Sequence, residues 1–115
     1  MKTQRIGFSE KALLLGDKAV ILDYPISDAF ALEGRIIVLY DPASYPNKTF
    51  GQFPNLIALN SNVEKLWTAE LPTTQTGDSY YRISSRDPLI ACSLSSFECQ
   101  VDPATGKIKI KTFLK

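Results

Sequence analysis

The chain contains no histidine. That single absence removes the commonest general base, the Ser-His and Cys-His catalytic arrangements and the zinc sites that use imidazole. A serine or cysteine nucleophile would have to rely on a lysine or a carboxylate instead. Glycine is sparse and scattered: the six residues, at 7, 16, 34, 51, 77 and 106, are all isolated, so no Gly-rich loop is available to cradle a phosphate or a dinucleotide. Long apolar runs are missing too. The longest, Arg35-Ile36-Ile37-Val38-Leu39-Tyr40, has the length of a strand rather than of a membrane span. The start, Met1-Lys2-Thr3-Gln4-Arg5-Ile6-Gly7, is positive, but Ala12 to Leu15 is too short for the apolar core of an export signal. A soluble, cytoplasmic protein is therefore expected, in which the Asn47-Lys48-Thr49 sequon carries no sugar. Charge of one sign is also lacking. Thirteen basic and twelve acidic residues leave a formal charge of +1, so there is no overall field to attract nucleic acid or an anionic membrane, and neither is expected as a partner.

What is present is ordinary globular material. With 115 residues, 44% hydrophobic and 22% charged, the chain is expected to form one domain, 1–115, with a modest core that needs no disulfide, metal or cofactor. Apolar runs rich in Ile, Val, Leu, Tyr and Phe, separated by Pro, Gly, Asn, Asp and Ser, recur from residue 18 onward. This rhythm predicts strands near Lys18 to Tyr24, Arg35 to Tyr40, Asn55 to Asn60, Lys65 to Glu70, Ser79 to Ser84, Leu89 to Leu94, Phe97 to Val101 and Lys107 to Phe113. Only Ser9 to Leu15 and Ser27 to Leu32 have helical alternatives, each with a serine placed to cap. The expected class is all-β, with antiparallel meanders forming two four-stranded sheets packed together: unit one about 18–71, unit two about 79–115.

The second unit suggests a register. A Ser95-Ser96 turn pairs Leu94 with Phe97, Cys92 with Cys99 and Ile90 with Val101, placing all six on one apolar face and Leu89, Ala91, Ser93, Glu98, Gln100 and Asp102 on the other. In that register the cysteines form a hydrogen-bonded pair with Cα atoms about 5.5 Å apart, and we read them as buried thiols rather than as a disulfide, a redox pair or a metal site. Asp102-Pro103-Ala104-Thr105-Gly106 has turn chemistry, and Lys107-Ile108-Lys109-Ile110-Lys111 alternates after it. Lysines 107, 109, 111 and 115 read as solvated residues that guard a strand edge rather than as an anion site.

An internal repeat links the halves. Leu59-Asn60-Ser61-Asn62-Val63-Glu64-Lys65-Leu66-Trp67 overlies Val101-Asp102-Pro103-Ala104-Thr105-Gly106-Lys107-Ile108-Lys109 without a gap, at an offset of 42 residues. The segments NLIALN..VEKLW and FECQVDPATGKIKI resemble the blade repeat of quinoprotein-type and WD-type β-propellers, in which an Ala-x-Asp turn, a Thr-Gly-Lys and a Trp recur. The resemblance implies four-stranded meanders and no more. Asn60 and Glu64 stand where Asp and Gly are usual, the second copy lacks the Trp, and no residue matches those that hold the quinone. Two blades are too few for a closed ring of about four to eight. Their apolar faces must be covered by each other, by the N-terminal segment or by a second chain. Because Arg35 to Tyr40 is apolar on both faces, the first sheet is expected to be the buried one, with the Cys92/Phe97/Ile108 face of the second stacked on its Trp67 side.

Two candidate sites follow. The segment 41–54, with Tyr45, Phe50, Phe53 and three prolines, is longer than a turn requires, and stiff aromatic loops suit association with another protein. The expected function is a non-enzymatic protein-interaction module using Tyr45, Phe50 and Phe53, with self-association a further route; the bland alternative has these rings covering their own sheet edge. The rival is a small-molecule or carbohydrate binder, or a weak carbohydrate-active enzyme, that uses the same aromatics with Asp23 or Asp41, within a cluster of acids, Asp23, Asp28, Glu33 and Asp41, of which two could serve glycoside chemistry. Those acids also read as turn residues: Asp28 a cap, Asp41-Pro42 a turn start and Glu33-Gly34 a strand approach.

Overall fold

The computed structural model describes residues 5–44 and 51–114. Among them are eleven strands, one short 3-10 turn and no α-helix. The strands are β1 (Ile6–Ser9), β2 (Ala12–Leu15), β3 (Lys18–Ile21), β4 (Ile26–Leu32), β5 (Arg35–Tyr40), β6 (Leu56–Leu59), β7 (Lys65–Thr68), β8 (Tyr80–Ser85), β9 (Ile90–Ser93), β10 (Phe97–Val101) and β11 (Ile108–Phe113). Consecutive strands pair antiparallel in three sheets: an N-terminal β1-β2-β3, a central β4-β5-β6-β7 and a C-terminal β8-β9-β10-β11. The all-β class and the meander order agree with the sequence; the number of sheets does not.

Neither helical alternative forms. In 9–15, Leu13 and Leu15 are buried while Ala12 and Leu14 stay half-exposed, the period of two that suits a strand. Tight reversals at Glu10 (φ 56°) and Gly16 (φ 62°) then fold β1, β2 and β3 into a meander. The segment 27–32 is too short to hold a helix alone. It lies within β4, which turns into β5 through Glu33 and Gly34 at φ 50° and 76°, a two-residue hairpin turn with both centres left-handed. Lys18–Ile21 therefore belongs to the N-terminal sheet, and β4 replaces it as the first strand of the central one.

The central sheet is buried on both faces over β5 and β6, as the doubly apolar β5 requires. Ile37 and Leu39 point with Phe30, Leu56, Ala58 and Trp67 into one core, completed by Leu89, Ala91, Cys99 and Val101 of the C-terminal sheet. Ile36, Val38 and Tyr40 point the other way, with Ile57 and Leu59, and are covered by Leu13 and Leu15. Two of the three ways of covering apolar faces are thus in use: sheet on sheet, and the N-terminal segment on the remaining side.

The β9–β10 register is one residue away from the expected one. Cys92 pairs with Glu98, Cys99 with Ala91 and Gln100 with Ile90, so the turn has three residues, Leu94, Ser95 and Ser96, the last at φ 74°. A slip of one residue sends alternate side chains to opposite faces. Cys99, Val101 and Phe97 keep the core face, with Ala91 and Leu89 opposite, while Cys92 lies on the outer face with its Sγ 4.0 Å from Glu98 Oε2. Leu94 is 56% exposed. The expected cluster of six is therefore divided. Both cysteines are buried and free, and the stacking on the Trp67 side is made by Cys99 rather than Cys92.

The two copies of the repeat carry matching turns. The Asn60 side chain accepts from the Asn62 and Glu64 amides, both at 2.9 Å, and that of Asp102 accepts from the Ala104 amide at 2.9 Å. Val63 (φ 63°) closes the first turn and Gly106 (φ 77°) the second. Glycine is required at 106 because a Cβ there would lie 2.6 Å from Cε3 of Trp67, whose indole N–H donates to the Pro103 carbonyl at 2.9 Å.

Candidate functional site

The long connection between β5 and β6 is tied down at each described end. Asp41 starts a turn as expected: its carboxylate accepts from the Ala43 amide at 2.9 Å, and its carbonyl accepts from the Ser44 amide at 3.0 Å. On the return, the Gly51 carbonyl accepts from the Gly77 amide at 2.7 Å and the Phe53 amide donates to the Asp78 carbonyl at 2.8 Å. The Gln52 side-chain amide donates to the Thr73 carbonyl. Asn55 completes the clamp from within. Fully buried, it donates to the Tyr40 carbonyl at 2.8 Å and the Tyr80 carbonyl at 2.7 Å, and accepts from the Tyr80 amide at 2.9 Å. One side chain thus joins the central sheet to the C-terminal sheet.

Asp78 extends the clamp to the β9–β10 turn. Its carboxylate accepts from the Thr73 hydroxyl at 2.6 Å, the Ser95 hydroxyl at 3.0 Å and the Ser95 amide at 3.2 Å. Ser93 and Ser95 hydroxyls lie 2.8 Å apart, so this polar cluster fixes the turn that presents Leu94. Beside it, the buried Ser79 hydroxyl has no partner among the described residues. The network was not foreseen: Asn55 and Asp78 have the types that sequence reading assigns to turns, and only their burial reveals the role.

Of the three aromatics proposed for contact, Tyr45 and Phe50 lie outside the described residues. Phe53 is only 5% exposed and stacks edge-on against Tyr24 at 5.1 Å, which in turn meets Tyr40 at 5.2 Å. Its ring closes the core between the N-terminal and central sheets, which corrects the expectation of an exposed contact residue. At this end of the sheets the apolar side chains that reach solvent include Leu94 and Phe113, the latter on the strand paired with Phe97.

Three of the four acids have partners of their own. Asp28 accepts from the Ala29 amide at 2.9 Å and pairs with Arg86 at 3.2 Å, the guanidinium lying 4.6 Å from the Phe30 ring centre. Asp41 caps its own turn, and Glu33 sits exposed in the β4–β5 turn, 3.8 Å from Arg35. Asp23 lies by Tyr40, whose phenol is raised above its ordinary range chiefly by burial. On the edge strand β11, Lys109 and Lys111 are exposed, as is Lys107 just before it, and Lys111 Nζ lies 5.0 Å from the Phe97 ring and 3.3 Å from the Pro72 carbonyl. Lys115 lies outside the described residues. Among the described residues no group of three or more Cys, Asp or Glu could hold a metal, and no helix is long and apolar enough to cross a membrane.

Two buried titratable groups share the interior. The Tyr80 hydroxyl donates to the Glu70 carbonyl at 2.6 Å and lies beside the Cys99 thiol. Burial raises both pKa values, so both groups stay neutral.

No curated protein matches this chain, and no solved structure does. One family model, described as a domain of unknown function, DUF7957, matches residues 3–113, and the chain belongs to that family.

Proposed function

We propose that the chain is a non-enzymatic protein-interaction module of the cytoplasm, built as a short stack of propeller-like blades. Its contact surface is the sheet end where the 41–55 connection meets the 94–96 turn. The observation that carries this reading is the buried Asn55 and Asp78 clamp, which holds the described ends of the connection and the Leu94 turn to one another. A contact surface fixed before binding loses less conformational entropy on association. Tyr45 and Phe50 supply the aromatic area that the sequence places between the clamped ends.

The test is partner capture with the intact chain as bait, compared with Tyr45→Ser/Phe50→Ser and with Leu94→Ser. An unfolding midpoint near that of the parent is the control that each variant is folded. A specific partner retained by the parent and lost by both variants supports the reading. A partner held equally by all three, or chemical-shift changes at this end with a sugar instead of a protein, would replace it with the carbohydrate-binding alternative or another surface.

A further inference from the structure

The N-terminal sheet is one strand shorter than the two sheets stacked behind it. The first strands β4 and β8 lie against one another, and β1 lies against β4 on the other side. So β1, β2 and β3 occupy the places that β4, β5 and β6 hold in the central sheet, and among the described residues nothing stands where β7 would have its counterpart.

Three observations converge on that place. First, β3 is an open edge: Leu15 pairs with Lys18 across the Gly16-Asp17 turn, and the antiparallel alternation directs the amides and carbonyls of Ala19 and Ile21 away from β2. Unlike β11, this edge has no row of lysines along it; Lys18 stands at one end, and Ile21 is 70% exposed. Second, the face of β7 that looks toward the N-terminal sheet is bare, with Leu66 47% exposed, while the Trp67 face is covered by the C-terminal sheet. Third, the two intersheet spaces differ where they should correspond. Between the central and C-terminal sheets, Trp67 on the fourth strand fills the space under the 102–106 turn. Under the matching 60–63 turn lies a depression of about 380 Å³ lined by Leu15, Lys18, Val20, Ser61, Asn62 and Val63.

We propose that β3 is a strand-accepting edge, at which an extended peptide from a protein partner adds as a fourth strand. One large apolar side chain of that peptide, best an aromatic one, fills the depression as Trp67 fills its own, and its neighbours cover Leu66. Main-chain hydrogen bonds supply affinity in such an addition, and the pocket for alternate side chains supplies selectivity. Lys18 borders the depression, with Lys65 and Asp23 on the adjoining hollow, so the peptide carries an acidic residue beside its anchor to meet Lys18. This surface shares no residue with the 45–50 segment or the 94–96 turn, and it stands or falls apart from the function proposed above.

The natural probe is a synthetic copy of the chain's own fourth strand, residues 64–70, Glu-Lys-Leu-Trp-Thr-Ala-Glu, together with a version carrying Lys65→Glu. Each is titrated into the isotope-labelled full chain. The expected result is amide shifts centred on Ala19, Ile21 and Val63, with tighter binding of the more acidic peptide and a loss of about tenfold or more when its Trp is replaced by Ala. N-methylation of the peptide amides that face β3 should weaken it similarly without touching the protein. In the protein, Ala19→Pro removes an amide the β2 ladder does not use, and Val20→Trp fills the depression from within. Both variants should lose binding while keeping the parent spectrum elsewhere. The proposal is overturned if neither peptide moves the β3 amides at about 1 mM, or if binding is unchanged by N-methylation and by Val20→Trp.

Discussion

At the scale of single residues, the polar groups that hold this protein together are few and buried. Asn55 satisfies three backbone groups of two sheets, and each one stranded without a partner costs about 1–3 kcal/mol. Asn55→Leu should therefore lower unfolding free energy by about 3 kcal/mol or more in urea titration. Asn55→Asp should be destabilising as well, because it keeps the acceptor for the Tyr80 amide but loses both donated bonds. The buried Tyr80 and Cys99 give a pH prediction with a definite sign. Their folded pKa values lie above the ordinary 10.0 and 9.0, so between unfolded and folded values the folded chain holds more protons. Stability from these groups is complete below about pH 9 and falls as pH rises past it. The urea midpoint should be lower at pH 10.5 than at pH 8, and Tyr80→Phe with Cys99→Ala should flatten that slope; a midpoint unchanged over the interval refutes the assignment.

At the scale of elements, hairpins and turns determine which side chains meet. Gly106→Ala combines a left-handed φ of 77° with a Cβ 2.6 Å from the Trp67 ring, so it should cost about 1–3 kcal/mol. It should also shift the emission of Trp67, the sole tryptophan; a variant with parent stability and emission would mean that the turn relaxes freely. Much at this scale was readable in advance. The alternation of 97–101 and 108–113 marked strands, and the continuous apolar run of 35–40, β5, marked the buried sheet. The β9–β10 register was not, because a three-residue turn ending in a left-handed Ser96 carries no glycine or asparagine to announce it. The serines suited a two-residue turn equally well, and one residue was enough to exchange Cys92 and Ala91 between faces. The N-terminal meander was missed for a related reason: its strands have four residues each, too few for periodicity to separate strand from helix. Of the candidate surface, the aromatic loop was visible as composition, while the clamp beneath it depends on burial that composition does not reveal.

At the scale of the whole molecule, the central sheet is held from both sides, and loss of either neighbour exposes one of its faces. Leu13 is fully buried over Ile36, Val38 and Leu59, so Leu13→Ala should cost about 2–5 kcal/mol although it lies in the smallest sheet. Circular dichroism and Trp67 fluorescence should still report one shared transition; separate midpoints would show the N-terminal sheet melting by itself. The connectivity has a kinetic side. Every pairing among the described residues joins strands that follow one another along the chain, so each sheet can close before the sheets dock, the β5–β6 pair across the longer 41–55 connection. Pairing of chain neighbours closes shorter loops than the crossovers of sandwiches with long-range pairing, so refolding should be faster than the seconds those commonly need.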